Sequence, residues 1–292
     1  MAHSLTLAVI QAPFGDDLHD NIARTERLIR DAAALGAQVI LPPELFQGPY
    51  FCVRQEERWF QTARPWREHP CVTALAPLAA ELDVVLPISI FEREGPHYFN
   101  SLVMVDAGGA LLGLYRKSHI PDGPGYQEKY YFRPGDTGFR AWNTRHGRLG
   151  VGICWDQWYP EAARAMALMG AQVLLYPTAI GSEPHDPELD TATPWRRAMQ
   201  GHAVANVIPV AGANRTGFEP WADYPGGGQT FYGSSFVCDH RGDLAAELGR
   251  DEEGVALASF DLDVLDRHRA AWGFFRDRRP DLYGALVTSR PT

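Results

Sequence analysis

The sequence predicts an α/β fold in which two β-sheets pack against each other with helices on the outside. Short apolar runs such as "LTLAVIQA", "AQVILPPE" and "GRLGVGI" alternate with segments of helical periodicity. Strands and helices follow one another in a mixed order, and the last third of the chain is rich in strands. A single doubly wound sheet would show a stricter alternation, so two packed sheets fit the pattern better.

Length and composition indicate one large domain over residues 1–292. The chain is 45% hydrophobic and 22% charged, which suffices for a sizeable core, and it shows no internal repeat or linker. The net charge of -9 and the lack of a basic stripe argue against a nucleic-acid partner. No apolar run reaches membrane-spanning length, so we expect no membrane partner.

The cysteines favour a reducing compartment. Cys52, Cys71, Cys154 and Cys238 lie far apart, without CxxC or CxH spacing, which argues against a zinc site and against a disulfide framework. The beginning, "MAHSLTLAVIQAPFGDD", lacks the basic and apolar regions of a signal peptide. We therefore expect a cytoplasmic protein without a bound metal.

The first predicted helix lies in "NIARTERLIRDAAALGA". Its Ile22, Leu28, Ile29 and Ala32 recur at helical spacing, and Gly36 stands where the helix could stop. Further along, "FNSLVMVD" and "GALLGLYRK" flank "AGG" and predict a β-hairpin.

The second half predicts further alternation and then a run of strands. A helix is expected in "PWRRAMQGHAVANV" and a strand in "IPVAGANR", followed by the strands "FYGSSFVCD" and "GVALASFD" with "DHRGD" as a turn. The segment "YPGGGQTFYG" is rich in glycine but lacks the strand-to-helix pattern of a phosphate-binding loop, so we predict a flexible loop there.

Three reactive residues follow predicted strands. Glu44 comes after "AQVIL" and two prolines, Lys117 ends "GALLGLYR", and Cys154 ends "LGVGI". Residues just past strand ends line the crevice where ligands bind in α/β folds. Each residue taken alone also has an ordinary structural explanation. The glutamate could lie in a turn, the lysine in solvent, and the cysteine in the core without reactivity.

The flanking sequences change that assessment. In chain order, "LPPELF", "YRKSHIPD" and "GICWDQWYPE" resemble the nitrilase superfamily of carbon-nitrogen hydrolases, and the resemblance covers nearly the whole chain. It implies a four-layer α-β-β-α sandwich and a catalytic set of Glu44, Lys117 and Cys154, with Glu128 in "GYQEKYYF" supporting the lysine. It also implies that no metal or organic cofactor is needed and that the protein forms a homo-oligomer, a dimer or larger.

The chemistry of amide cleavage suits these residue types. An ordinary thiol has a pKa of about 8.5, so a neighbouring base must take its proton before it can attack a carbonyl carbon. Glu44 is the expected base. Lys117 and the backbone N–H of Trp155 would stabilise the negative oxygen that forms during the attack.

The residues beyond the nucleophile bear on the substrate. No arginine follows Cys154 closely, whereas Trp155 and Asp156 follow it directly, and "YPTAIGSEP" adds Glu183. An acidic and aromatic rim suits a cationic tail, so we expect Glu183 to pair with a substrate ammonium, and Asp156 is the second candidate. Tyr50, close after Glu44, is expected to wall the pocket.

The segments around Lys117 and Cys154, together with "YPTAIGSEP", also resemble one branch of the superfamily. In that branch the substrate is a small ureide with an ammonium group at its far end. Two alternatives remain open. One is a sibling amidase acting on another ureide, amide or nitrile, which would share the catalytic set and differ at the tail. The other is a non-catalytic binding protein on the same fold.

Overall fold

Two β-sheets lie face to face between two layers of helices in the structure, a computed structural model that describes residues 4–183, 185–186 and 188–288. The strands are β1 (Ser4–Gln11), β2 (Val39–Leu41), β3 (Leu86–Glu94), β4 (His97–Val105), β5 (Leu111–Arg116), β6 (Ala141–Thr144), β7 (Gly147–Val151), β8 (Val173–Thr178), β9 (Val210–Asn214), β10 (Thr216–Pro220), β11 (Gly228–Tyr232), β12 (Phe236–Cys238), β13 (Leu244–Glu247) and β14 (Gly254–Asp261). The helices are α1 (Leu18–Ala34), α2 (Pro70–Leu82), α3 (Pro160–Leu168), α4 (Ala192–Asn206) and α5 (Leu262–Trp272).

The first sheet is built from two groups of three strands. Its first group has the order β14-β1-β2, and its second has the order β3-β4-β5. A parallel bridge between Val39 and Val85 joins the two groups. The last strand, β14, pairs with the first strand, β1, in antiparallel orientation.

The second sheet has six strands in the order β13-β12-β9-β8-β7-β6. Its centre is parallel, because β7 pairs with β8 and β8 pairs with β9 in the same direction. Its two edges are antiparallel. The carboxyl ends of β7 and β8 therefore meet at one edge of the molecule, where Cys154 and Ala179 lie.

The apolar residues form three layers of packing. Between the sheets, Leu7 and Val9 of β1 belong to the same buried cluster as Leu175 of β8. On the outer face of the first sheet, residues such as Ile10 pack with α1 and α2. On the outer face of the second sheet, residues such as Leu174 pack with α3 and α4. Both faces of each sheet are buried, and the predicted four-layer α-β-β-α sandwich is confirmed.

The first helix agrees with its sequence signals. Asp17 caps α1 by accepting hydrogen bonds from the backbone N–H groups of His19 and Asp20. Leu28 and Ile29 are buried, as the periodicity predicts. The helix ends before Gly36, whose φ of 90° lies in the left-handed region that glycine adopts readily.

One segment differs from its prediction. The sequence "YPGGGQTFYG" contains strand β11, which pairs with β10 in an antiparallel hairpin. The prediction of a flexible loop was wrong because only Gly226 and Gly227 form the turn, with φ of 68° and 77°. The following residues "GQTFY" form the strand, and Thr230 is the exposed residue among them. No described helix is both long and apolar enough to cross a lipid bilayer.

Candidate active site

Glu44, Lys117 and Cys154 meet in the folded chain although they come from different strands. Lys117 directly follows β5, whereas Glu44 and Cys154 lie three residues beyond the ends of β2 and β7. The amine Nζ of Lys117 lies 2.9 Å from Oε1 of Glu44. Both side chains are fully buried, and Cys154 is only 5% exposed. The strand ends thus converge, as the sequence analysis expects.

The segment that carries Glu44 is held by an arginine that directly follows β9. Pro42 and Pro43 follow β2, and proline cannot donate to a sheet ladder. The chain then turns, with Leu45 at φ 48°. The guanidinium of Arg215 donates hydrogen bonds to the carbonyl oxygens of Glu44 at 3.0 Å and Leu45 at 2.9 Å. This buried arginine fixes the backbone on which the carboxylate depends.

The carboxylate of Glu44 is fixed at both oxygens. Oε1 accepts hydrogen bonds from Lys117 at 2.9 Å and from Nδ2 of Asn100 at 2.7 Å. Oε2 accepts a hydrogen bond from the backbone N–H of Ala179 at 2.9 Å. The carbonyl oxygen of Ala179 lies 3.9 Å from Sγ of Cys154 and accepts from the thiol. One residue therefore contacts both the carboxylate and the thiol.

Lys117 is held between two carboxylates. Its Nζ lies 2.8 Å from Oε1 and 2.7 Å from Oε2 of Glu128, in addition to its contact with Glu44. Burial disfavours the charged amine, but the carboxylates of Glu128 and Glu44 outweigh it and hold the pKa of Lys117 well above its ordinary value. Burial raises the pKa of Glu128 to about 7, against the opposing effect of the lysine. Lys117 is therefore a fixed positive charge at neutral pH.

The thiol of Cys154 is protonated in the resting site. Burial raises its pKa well above the ordinary value, the carboxylate of Glu44 raises it further, and the ammonium of Lys117 acts in the opposite direction. A protonated thiol is a weak nucleophile. Attack by this group consequently needs a base, and Glu44 is the carboxylate that contacts the backbone of the same residue, Ala179.

The backbone at Cys154 is strained. Its φ of 42° lies in the left-handed region, which a residue with a β-carbon adopts at a cost of about 1–3 kcal/mol. The approach from β7 passes through Gly152, where an added β-carbon would lie 2.9 Å from the Tyr176 ring and 3.0 Å from the β-carbon of Asp156. A short 3-10 turn, Cys154–Trp158, follows and leads into α3. The strand-to-helix break thus places the thiol at a sharp turn.

Asp156 holds this turn, and the interpretation of it as a substrate contact was wrong. Its Oδ2 accepts hydrogen bonds from the backbone N–H of Ile153 at 2.9 Å and from the Tyr115 hydroxyl at 2.7 Å. Its Oδ1 contacts the backbone N–H of His119 at 3.0 Å and the His119 ring at 2.7 Å. A carboxylate offers about four acceptor positions, and all are occupied by the protein itself. The fully buried Asp156 has no position left for a substrate ammonium.

Tyr50 also has a different role from the one predicted. It is fully buried, and its hydroxyl donates a 2.6 Å hydrogen bond to Oε1 of Glu128. Its backbone N–H donates to Glu219 at 2.6 Å. Tyr50 therefore positions the glutamate that holds Lys117, and its hydroxyl is not directed at a ligand.

Trp155 and Glu183 are the most exposed of the predicted site residues. The Trp155 side chain is 38% exposed, and none of the described residues accepts a hydrogen bond from its backbone N–H. Glu183 is half-buried, and burial, with a smaller effect from Asp186, raises its pKa to about 7.

Tyr126 connects the thiol to Glu183. Its hydroxyl accepts a 3.0 Å hydrogen bond from the backbone N–H of Gly181. Burial raises the pKa of Tyr126, and the charges of Glu183 and of an ionised Cys154 raise it further. Glu183 and Cys154 therefore both lie within electrostatic reach of the Tyr126 phenol. The sequence did not indicate the contacts made by Tyr126, by Asn100 and by the backbone of Ala179, because no local pattern distinguishes these residues.

Comparisons with known proteins agree with this arrangement. A model of the carbon-nitrogen hydrolase family matches residues 6–270. The chain is 54% identical to an N-carbamoylputrescine amidase from Solanum lycopersicum over 285 residues, which cover 97% of this chain and 95% of that protein. It is 50% identical to a citrullinase from Francisella tularensis subsp. tularensis, with 97% and 98% of the two chains covered.

The solved structures give the same result. The crystal structure of a carbon-nitrogen hydrolase from Helicobacter pylori G27 superposes with a TM-score of 0.92 at 36% identity, covering 99% of this chain and 100% of that one. An amidase from Nesterenkonia sp. superposes with a TM-score of 0.78 at 27% identity, with 98% and 97% covered. The chain is an enzyme of the carbon-nitrogen hydrolase family, within the nitrilase superfamily.

Proposed function

We propose that the enzyme hydrolyses N-carbamoylputrescine to putrescine, carbon dioxide and ammonia, in the formation of putrescine from agmatine. The observation that carries the proposal is the buried contact of Lys117 with Glu44 beside the Cys154 thiol. Relatives at 50–54% identity that bear the name N-carbamoylputrescine amidase support this substrate.

The first half of the proposed reaction forms a covalent intermediate. Glu44 takes the proton from Sγ of Cys154, and the thiolate attacks the carbamoyl carbon. Negative charge then develops on the carbamoyl oxygen. The ammonium of Lys117 and the backbone N–H of Trp155 are the donors that stabilise it. Glu44 returns its proton to the departing nitrogen, and a thioester on Cys154 remains.

The second half releases the enzyme. Glu44 activates a water molecule, which attacks the thioester carbon, and the thiol leaves with the proton. The resulting carbamate loses carbon dioxide and yields the second nitrogen product. One water is consumed in total, and the same groups serve whether ammonia or putrescine departs first.

Glu183 is proposed to hold the far end of the substrate. N-carbamoylputrescine carries a primary ammonium four carbons from its ureide head, and a carboxylate at that distance would form a charge-assisted hydrogen bond with it. Two tyrosines, Tyr126 and Tyr232, lie close enough for the charges of both Cys154 and Glu183 to affect their pKa. This supports a head site and a tail site that lie near each other.

A pair of substrates tests the function and the tail together. Ammonia release is measured with N-carbamoylputrescine and with N-butylurea, which has the same chain without the ammonium. Glu183→Gln should lower kcat/KM for N-carbamoylputrescine by about 10- to 100-fold, since a hydrogen bond to a charged group contributes about 1.5–3 kcal/mol. The loss on N-butylurea should be much smaller. Equal losses on both substrates would mean that Glu183 shapes the pocket instead.

The assembly and location of the enzyme are part of the proposal. Apolar side chains near the end of the described chain are exposed, among them Trp272 and Leu286. Their burial against a second copy would support the homodimer that the family resemblance implies. The four cysteines are all unpaired and buried, which suits the reducing conditions of the cytoplasm.

A further inference from the structure

A buried ion pair lies behind the catalytic residues. Nη1 of Arg215 lies 2.5 Å from Oε1 of Glu219, and the two residues are 0% and 4% exposed. The Cζ of Arg215 lies 5.2–5.9 Å from the ring centroids of Phe14, Tyr50 and Phe231. Its Nε is buried without an acceptor among the described residues. Removing two charges from water is costly, so stability alone is a weak reason for such a pair.

The arginine holds the turn that carries the expected base. Nη2 of Arg215 donates to the carbonyl oxygens of Glu44 at 3.0 Å and Leu45 at 2.9 Å, and Nη1 donates to that of Gly48 at 3.2 Å. Leu45 has a φ of 48°, in the left-handed region. Strained residues of this kind persist only where their surroundings hold them. The guanidinium therefore fixes the shape of the turn from which the Glu44 side chain projects.

The glutamate of the pair reaches the second catalytic carboxylate. Oε2 of Glu219 accepts a 2.6 Å hydrogen bond from the backbone N–H of Tyr50. The hydroxyl of Tyr50 donates a 2.6 Å hydrogen bond to Oε1 of Glu128. Oε2 of Glu128 lies 2.7 Å from Nζ of Lys117. Glu219 is thus connected to the lysine through two intervening residues.

The two connections end at the same amine. Glu44 lies 2.9 Å from Nζ of Lys117, and the oxygens of Glu128 lie 2.7 and 2.8 Å from it. One ion pair therefore supports both carboxylates between which the amine is held. A displacement of about 1 Å at a reacting group can lower a rate by about 100-fold, even when its cause lies away from the chemistry.

We propose that Arg215 and Glu219 are positioning residues for the hydrolysis, and that their ion pair holds Glu44 where it can take the proton of the Cys154 thiol. The inference rests on the proposed function for the role of Glu44 as the base. Because the pair acts through the catalytic residues, its loss should lower kcat and leave KM near the wild-type value.

The test compares the wild type with Arg215→Lys and Glu219→Gln. Lysine keeps a positive charge beside Glu219 but lacks the planar fork of donors that reaches the carbonyl oxygens of Glu44 and Leu45. Glutamine keeps the size of Glu219 but replaces one acceptor oxygen with a donor. Each variant should lower kcat for N-carbamoylputrescine by about 10- to 100-fold. Alkylation of Cys154 by iodoacetamide should slow by about tenfold, since a displaced carboxylate no longer takes the thiol proton.

Leu28→Ala controls for lost stability. Leu28 lies in α1, is 2% exposed and packs on the outer face of the first sheet. Truncation of a buried leucine destabilises a protein without touching the catalytic residues. Well below its unfolding transition, this variant should keep the wild-type kcat and the wild-type rate of Cys154 alkylation. Urea unfolding of all variants shows that each comparison is made on folded protein.

The outcomes separate this inference from the proposed function. Wild-type kcat in both variants of the pair would overturn it, as would a raised KM with unchanged kcat. A fall in kcat without slower alkylation would also overturn it, because the base would still be in place. Equal losses in Leu28→Ala would mean that the pair only supports the fold. If the wild type releases no ammonia from N-carbamoylputrescine, the proposed substrate fails, and the alkylation rates still decide the inference.

Discussion

The amine of Lys117 lies 2.9 Å from the carboxylate of Glu44, and both groups are fully buried. In the proposed mechanism Glu44 becomes neutral when it takes the thiol proton. The ammonium then loses one negative partner at the moment when negative charge develops on the substrate oxygen. Glu128 continues to hold Lys117 in place. The lysine therefore faces a negative charge throughout, and little reorganisation is needed as the charge moves.

Cys154→Ser should abolish ammonia release from N-carbamoylputrescine while the protein remains folded. A serine hydroxyl is far harder for a glutamate to deprotonate than a thiol. Ammonia assays and circular dichroism on the purified variant provide the measurement. Appreciable residual hydrolysis would show that Cys154 is not the attacking group.

A thiol alkylator gives a matched comparison within the wild-type chain. Cys154 is 5% exposed, whereas Cys52, Cys71 and Cys238 are 0% exposed. Peptide mapping after brief treatment should find label on Cys154 first, with loss of activity in parallel. Label on another cysteine at the same rate would contradict the assignment.

Asp156→Asn should reduce both stability and kcat. An amide nitrogen in place of one oxygen leaves at least one buried donor without an acceptor, which costs about 1–3 kcal/mol of the free energy of unfolding. The affected donors include the N–H of Ile153, which directly precedes the strained Cys154. Urea unfolding and steady-state kinetics measure the two effects.

Tyr115→Phe is the control for this position, because it removes only one of the donors to Asp156. Its losses should be clearly smaller than those of Asp156→Asn. A wild-type kcat and free energy of unfolding in Asp156→Asn would mean that the turn does not depend on this carboxylate.

The activity on N-carbamoylputrescine should fall as the pH drops below about 7. The pKa of Glu183 is raised to about 7, so the carboxyl is ionised and able to pair with the ammonium only above that value. The groups that act on or near it are Asp186, Tyr126, Tyr224 and Tyr232. The pH dependence of kcat/KM reports pKa values of the free enzyme, so this loss should appear as an acidic limb of the profile.

Two variants assign that limb. Glu183→Gln should remove it, and the profile on N-butylurea should lack it in the wild type. Asp186→Asn should move the limb to lower pH, because the carboxylate of Asp186 raises the pKa of Glu183. A limb that stays in place in both variants belongs to another group.

The enzyme should be at least a homodimer at micromolar concentration. Light scattering on the wild type and on Leu286→Asp tests the apolar surface near the end of the described chain, where Leu286 is 63% exposed. A buried charge without a partner is costly, so the dimer of the variant should be weaker and should dissociate at a higher protein concentration than the wild type. Leu35→Asp, at an equally exposed leucine after α1, should keep the wild-type mass. A monomeric wild type would contradict the prediction.

The sequence predicts the residues at strand ends better than their neighbours across the site. Glu44, Lys117 and Cys154 follow apolar runs that are visible locally, and their convergence follows from how strand ends meet at a sheet edge. Tyr50 and Asp156 were assigned to the substrate because they lie near these residues in the chain. Their hydrogen-bond partners in the fold, such as Glu128 for Tyr50, lie far away along the chain. Spacing in the sequence does not reveal such contacts.

The pairing of β14 with β1 has a consequence for the speed of folding. The ladder runs from Ser4 opposite Asp261 to Gln11 opposite Gly254, so most of the described chain lies between the two strands. Closing so long a loop costs conformational entropy before the strands can pair, and contacts between residues that are distant in sequence slow folding. We expect the group β14-β1-β2 to be completed late in folding. Glu44, which lies three residues beyond β2, should then reach its final position late as well.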